Sequence, residues 1–513
     1  MIIKKYFKTS LCLFILLLVT IRLKSQNSSD TSQHLQKLTL LNHKKVMKGL
    51  FGEPNIKIKT LGILVYDGFS AMDGIAPMVV FSELMNVKVH YIGLKKGTIK
   101  SDLLDINIDK TIDDIKQLDV LLVPGGNETA ISDLMKNTQL TNWLQKIDAN
   151  SIMMAGVGSG VFILGNANLL NNKNATTNWY HAQQNLQKFQ ANYQDVRYLN
   201  DGKYWTSVGS TASIDMCLKM VQLICGDKYL QGAMLDLEYD PKPPLEAGTV
   251  QKTERKIIEL VSSNSKTINS IDYLTEISDS DLQNAFGTNS KIDSIGILVY
   301  DGTFTLDFLG PLTVLSQLPK TKVFLIGTKK GNIKSGRTNF NVNYSIRDIN
   351  SLDVLLITGG SIGTWNAAQD TSVRRWIKNI DRHTKYTTSV CTGAWILGEA
   401  GLLKNRKATT HWYHKNEMLA KYGAMSINER YTKDEKYWTS AGVSAGIDLS
   451  YALLQDLFGE SFLQYALLNL NYNPQSPIKG GTPANSDPKV VDMMTQMYDY
   501  MMLKKLNITP SKK

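Results

Sequence analysis

The sequence predicts an α/β protein whose unit is a three-layer sandwich around a mostly parallel sheet, written twice in one chain. Three observations predict it. Short apolar, β-rich runs end in Gly, Asp or Thr and lead into helical patterns, as in "IGILVY", "KVFLIG", "LDVLLIT" and "YTTSV". The runs are almost continuously hydrophobic, which marks strands buried on both faces and covered by helices. The whole series then recurs after about 234 residues, a period far too long for a solenoid.

The chain opens on a targeting pattern. "MIIKKYFKTS" supplies Lys4, Lys5 and Lys8, "LCLFILLLVTI" is an apolar run of 11 residues, and "RLKSQNSSD" turns polar. That is the plan of a secretory signal peptide over residues 1–25, with Ser25 the last residue before cleavage. The run is short for a spanning helix, which needs about 20 apolar residues. Cys12 lies inside the run rather than at its end, which argues against a lipoprotein site. The expectation is an exported, periplasmic protein; an uncleaved N-terminal anchor is the alternative.

The repeats then follow in register. "LGILVYDGFSAMDGIAP" (61–77) matches "IGILVYDGTFTLDFLGP" (295–311), and "KVHYIGLKKGTIKS" (88–101) matches "KVFLIGTKKGNIKS" (322–335). "LDVLLVPGG" (118–126) pairs with "LDVLLITGG" (352–360), "NATTNWYH" (174–181) with "KATTHWYH" (407–414), and "KYWTSVGSTASIDM" (203–216) with "KYWTSAGVSAGIDL" (436–449). Right-handed crossovers make each unit flavodoxin-like, with ligands bound beyond the carboxyl ends of the strands. Asp307, Gly359, Gly360 and Cys391 all fall past such ends, so separate segments converge on one crevice. The domains are read as 57–264 and 291–505. Residues 265–290 are polar and unmatched, and read as a flexible linker with room for one helix. "PKVVDMMTQMYDYMMLKK" continues the second domain as a helix whose counterpart is "QKTERKIIELVSS"; its methionines read as packing.

Composition narrows the function. The 513 residues are 43% hydrophobic and 20% charged, with net charge +11. The lysines are scattered, and neither zinc-finger spacing nor a helix-turn-helix follows the repeats, so no nucleic-acid partner is expected. No metal-ligand cluster and no cofactor motif are seen. Cleavage would leave Cys217, Cys225 and Cys391, too few for a disulfide framework. Cys217 and Cys225 are about 12 Å apart along one predicted helix and read as core residues.

Cys391 is different. "SVCTGAWILG" sets it between a strand and a helix, an elbow of the kind that lifts a nucleophile above an α/β sheet. The helix N-terminus is expected to lower the thiol pKa. Thr392 N–H, with Gly360 N–H as second donor, is placed to face an oxyanion.

At these residues the chain resembles the ThiJ/PfpI superfamily, of class I glutamine amidotransferase-like fold. "LDFLGP", "SVCTGAWILGEAGLL" and "KATTHW" make the second repeat similar to isonitrile hydratases and to the sensor domains of AraC-type regulators. The resemblance implies that Asp307 is the acid partner of Cys391, with a pKa raised by the neighbouring thiolate. It implies that His411 lines the pocket, with a purely structural histidine as the alternative. Thr392 replaces the His of protease-like members, against a peptidase. The implied reaction adds water to an isonitrile through a thioimidate on Cys391, without a cofactor. A non-catalytic small-molecule-binding or redox-sensing protein is the other reading. The first repeat keeps Asp73 and has Gly158, Ser159 and Asn178 opposite Cys391, Thr392 and His411. Glycine cannot be a nucleophile yet suits a strained elbow. Since such relatives form homodimers, the tandem copies are expected to form a pseudo-dimer within one chain, one half silent.

Overall fold

The computed structural model describes residues 47–287 and 292–506; the N-terminal targeting segment, including Cys12 and Ser25, lies outside them. No helix among the described residues is long and apolar enough to cross a membrane.

In the first half the sheet runs, in spatial order, Lys88–Ile92, Thr60–Leu64, Val120–Val123, Met153–Val157, Tyr204–Ser207 and Tyr198–Asp201. All neighbours are parallel except the last pair. The second half repeats this with Lys322–Gly327, Ser294–Val299, Val354–Ile357, Tyr386–Val390, Tyr437–Ser440 and Tyr431–Asp434, and adds Tyr344–Ser345 at its first edge. The middle strands are buried along their whole length, which is why they read as unbroken apolar runs. In both halves the helix after the first strand, Ala71–Ser82 or Thr305–Leu315, contains a proline. Pro77 and Pro311 have no N–H for the carbonyls of Asp73 and Asp307, four residues back, so the acid-bearing turn is cut loose from regular helix bonding.

The two halves form the expected pseudo-dimer. Ala71–Ser82 packs against Thr305–Leu315. The hairpin Gly97–Lys100/Asp105–Ile108 and its counterpart Gly331–Ser335/Thr338–Val342 join into one four-stranded sheet, with Phe340 opposite Ile106. Two buried ion pairs lock the halves reciprocally. Arg197 binds Asp215 and donates across to the carbonyl of Asn471. Arg430 binds Asp448 and donates across to the carbonyl of Glu238. Asp215 also accepts from Gln475 N–H, and Asp448 from Lys242 N–H, each at 2.9 Å. Removing one partner of such a buried pair typically costs about 3–5 kcal/mol. The exit helices swap sides: Arg255–Ser263 packs on Ser444–Asn469, and Pro488–Leu506 on Asp227–Asp236. Cys217 and Cys225 lie on one helix, Ala212–Cys225, as free thiols.

One expectation needs correction. The stretch 265–290, read as a flexible linker with room for one helix, carries that helix and a hairpin besides. Ser265–Ile268 and Ile271–Leu274 form a hairpin, and Asp279–Phe286 is a helix capped by Ser278. The hairpin is polar because one face meets solvent, yet Asp272 binds Asn185 through both backbone groups at 2.9 Å and His181 through its carboxylate at 2.8 Å. Polarity alone concealed a docked element.

Candidate active site

Cys391 ends the strand Tyr386–Val390 and precedes the helix Gly393–Glu399. Its φ is +59°, and Gly158 has +54° at the matching point. For a residue with a Cβ this left-handed backbone costs roughly 1–2 kcal/mol. Local bonds hold it: Cys391 N–H donates to the carbonyl of Ala441 at 2.5 Å, and the Thr410 hydroxyl donates to the Cys391 carbonyl at 2.7 Å. The thiol sits in a sharp turn, as the elbow pattern predicts.

Asp307 lies in the first turn of its helix, fully buried. Its Oδ2 accepts from Gly359 N–H at 2.8 Å, while Oδ1 has no hydrogen-bond partner of good geometry among the described residues. A Cβ placed on Gly359 would sit 2.7 Å from Asp307 Oδ2, 2.7 Å from Thr392 N and 2.8 Å from the Cys391 Cβ, so acid, amide and thiol meet there. Burial pushes the Asp307 carboxyl up to about 7, against the pull of Gly359 N–H and the Cys391 thiol. The raised value was expected, but its main cause is loss of water rather than a neighbouring thiolate.

Two details of the oxyanion reading change. Gly360 N–H donates to the Thr392 hydroxyl at 3.0 Å and so is already engaged. That hydroxyl also meets Thr364 at 2.9 Å, so Thr392 braces the strand end. Thr392 N–H instead serves the thiol. Nor is Cys391 a standing thiolate. Burial, then the charges of Asp307 and Glu238, push it well above its usual value, and Thr392 N–H with its hydroxyl only partly offsets them. The helix N-terminus is outweighed because the residue is only 6% exposed.

His411 is buried and lines the same cavity as Cys391 and Thr392. Burial lowers its pKa to about 3, so the ring is neutral. Nδ1 accepts from Tyr413 N–H at 3.3 Å, which places the ring proton on Nε2. The cavity, of about 510 Å³, lies between the halves. The first half contributes Met78, Val79, Glu83 and Asp236 to its wall, and the C-terminal helix contributes Tyr498 and Met502. Sequence reading missed these residues because all are remote in the chain from the elbow, and those of the first half reach the site across the pseudo-dimer. The methionine-rich helix, read as packing alone, also walls the pocket. Glu83 and Asp236 form a hydrogen-bonded carboxyl pair; burial raises both, Asp236 to about 6.

In the first half the polar groups at the matching place are engaged with one another. Asp73 is raised to about 7 by burial, but both its oxygens are taken, by Ser210 N–H at 2.5 Å and Gly125 N–H at 3.2 Å. Ser159 exchanges hydrogen bonds with the backbone of Gly126. Asn178 accepts from Tyr180 N–H at 3.1 Å, repeating the His411 turn without an imidazole. Tyr273 of the hairpin lays its ring edge-on to Phe162, 6.0 Å between centroids, with its hydroxyl toward Ser159.

Comparison with known proteins places the chain in a family. The DJ-1/PfpI family matches the chain twice, at residues 59–223 and 293–456. Over 200 residues the chain is 34% identical to the isonitrile hydratase of Pseudomonas putida, covering 39% of this chain and 86% of that protein. It is 28% identical over 169 residues to the HTH-type transcriptional regulator CdhR of Pseudomonas aeruginosa, covering 31% of this chain and 48% of the regulator. Among solved structures, a THiJ/PfpI family protein from Pseudomonas syringae is 29% identical, with a TM-score of 0.40 over 42% of this chain and 90% of that one.

Proposed function

The chain belongs to the DJ-1/PfpI family, and from that premise we propose that it is an isonitrile hydratase-like lyase working through Cys391 and Asp307 of its second half alone. The observation that carries this reading is the pairing of one buried thiol with one buried carboxyl that titrates near neutrality, on the wall of a mainly apolar cavity. Asp307 takes the thiol proton, and the sulfur attacks the terminal isonitrile carbon. Asp307 then gives that proton to the carbon, leaving a thioimidate, Cys391–S–CH=N–R. Water adds to this carbon, the nitrogen gains a proton from that water, and Asp307 carries the proton of the added hydroxyl to the sulfur as the C–S bond breaks. The products are an N-substituted formamide and the starting thiol. Thr392 N–H supports the sulfur while it carries charge.

A redox-sensing role fits less well, since sensor thiols are exposed and of low pKa and Cys391 is neither. The test is formamide production from small isonitriles. Cys391→Ala and Asp307→Asn should each lower kcat by at least ~100-fold, with Asp73→Asn close to wild type. Retained turnover in Cys391→Ala would sink the reading. Export is part of the proposal: the secreted protein should begin at Gln26, as read by N-terminal sequencing.

A further inference from the structure

We propose that Glu238, a residue of the half without a thiol, is a catalytic residue of the other half: its carboxyl manages the water that resolves the covalent intermediate. This rests on the hydratase reading above. Glu238 follows the helix Asp227–Asp236 with φ +40°, a strained backbone for glutamate. The second half imposes it. The Glu238 carbonyl accepts from Arg430 at 3.3 Å and from the Ser444 hydroxyl at 2.7 Å. The side chain, 4% exposed, thereby lies beside His411 and Gly442 of the second half.

Its Oε2 has no hydrogen-bond partner among the described residues. Oε2 lies 4.0 Å from His411 Nε2, too far for a direct bond and close enough for one water to touch both. It presses on Gly442, next to the Ala441 carbonyl that holds Cys391 N–H, and fills the place a Cβ would take there. The groups acting on the carboxyl are Arg430, Trp412 N–H, Asp307 and Lys415, with burial dominant and a value of about 8 as the result. Its charge acts in turn on Cys391.

A second, independent observation is the difference between the halves. Glu238 aligns with Asn471, Asp236 with Asn469, and Glu83 with Gln317. The acids Glu83 and Asp236 line the cavity beside Cys391. Their amide counterparts, Asn469 and Gln317, simply bond each other at 3.0 Å. Around Gly209, the counterpart of Gly442, the nearest atoms belong to Gly158 and Asp73, with none from the other half. Carboxyls thus face the half with a thiol, and amides of similar shape belong to the half that faces none.

The step balances without a further reagent. Glu238 gives its proton to the imine nitrogen of the thioimidate and takes one from the water that adds to the carbon, His411 holding that water. Asp307 handles the other proton pair, between sulfur, carbon and the added hydroxyl, whose proton ends on the departing sulfur.

The test is single-turnover mass spectrometry of the full chain with a small isonitrile. Wild type should show little adduct. Glu238→Gln, and Glu238→Asn with the residue that position 471 already carries, should form one adduct on Cys391 at an unchanged rate and clear it ~100-fold more slowly. Wild-type clearance in both variants, or equal loss of adduct formation and clearance, would overturn the assignment to Glu238 while leaving the hydratase intact. Absence of any adduct or formamide with wild type would overturn the hydratase reading, and this proposal with it.

Discussion

At the scale of single residues, the site stores its cost in buried acids. The folded pKa of Asp307, about 7, lies above an unfolded value of about 3.9. Its protonated form therefore favours folding; that contribution is complete below pH ~4 and is lost as pH rises through about 7. Asn mimics the protonated acid at every pH. Thermal melts should show Asp307→Asn more stable than wild type at pH 8 and nearly equal to it at pH 4.5, while activity is lost. Equal stability at both values would mean the carboxyl is better solvated than its burial implies. Gly442 makes a sharper probe of geometry. A methyl group there collides with the Glu238 carboxylate, so Gly442→Ala should reproduce the slow clearance of Glu238→Gln with Cys391 untouched. Fast clearance would place that carboxylate elsewhere.

At the scale of elements, the two copies differ most in the segments that close over their active-site ends. In the first half the hairpin brings Asp272 to His181 and Tyr273 to Phe162 and Ser159. In the second half the C-terminal helix brings Asp499 to His414 at 3.1 Å, and Tyr498 to the cavity wall. The same histidine anchor thus holds a hairpin in one case and the C-terminal helix in the other. Restoring the thiol should therefore not restore chemistry. Gly158→Cys suits the left-handed angle about as well as Cys391 does, and its Cβ would lie 3.1 Å from Asp73 Oδ2. The double variant Cys391→Ala/Gly158→Cys should fold, lose about 1 kcal/mol relative to Cys391→Ala, and produce no formamide. Turnover in it would show that the hairpin yields.

At the scale of the whole molecule, the half without a thiol is part of the cavity wall beside Cys391. It lends Met78, Val79, Glu83 and Asp236 to the cavity, and Glu238 reaches the centre behind it. It also completes the lock at Arg430, whose acceptor is the Glu238 carbonyl. Separately expressed residues 291–505 should have no measurable kcat and should regain turnover on mixing with residues 57–264. Full activity of 291–505 alone would refute any role of the first half. The duplicated α/β unit, its sheet, and the placing of Cys391, Thr392 and Asp307 at strand ends were legible because they depend on local patterns: apolar runs, the Gly pair and the elbow. Glu238 was not, although the exchange of three acids for three amides stands in the alignment of the two copies. Its meaning depends on which half it faces.

What the sequence determined by itself was therefore the repeated unit and the loss of the thiol from one copy. Hydrophobic period and turn chemistry act over a few residues, and both copies carry them intact. Three further outcomes came from packing alone: the connector folds into a docked hairpin and a helix, burial outweighs the helix N-terminus at Cys391, and the thiol-less half faces the other with carboxyls. Those outcomes come from desolvation and from contacts between residues far apart in the chain, which are set once the two halves close on each other.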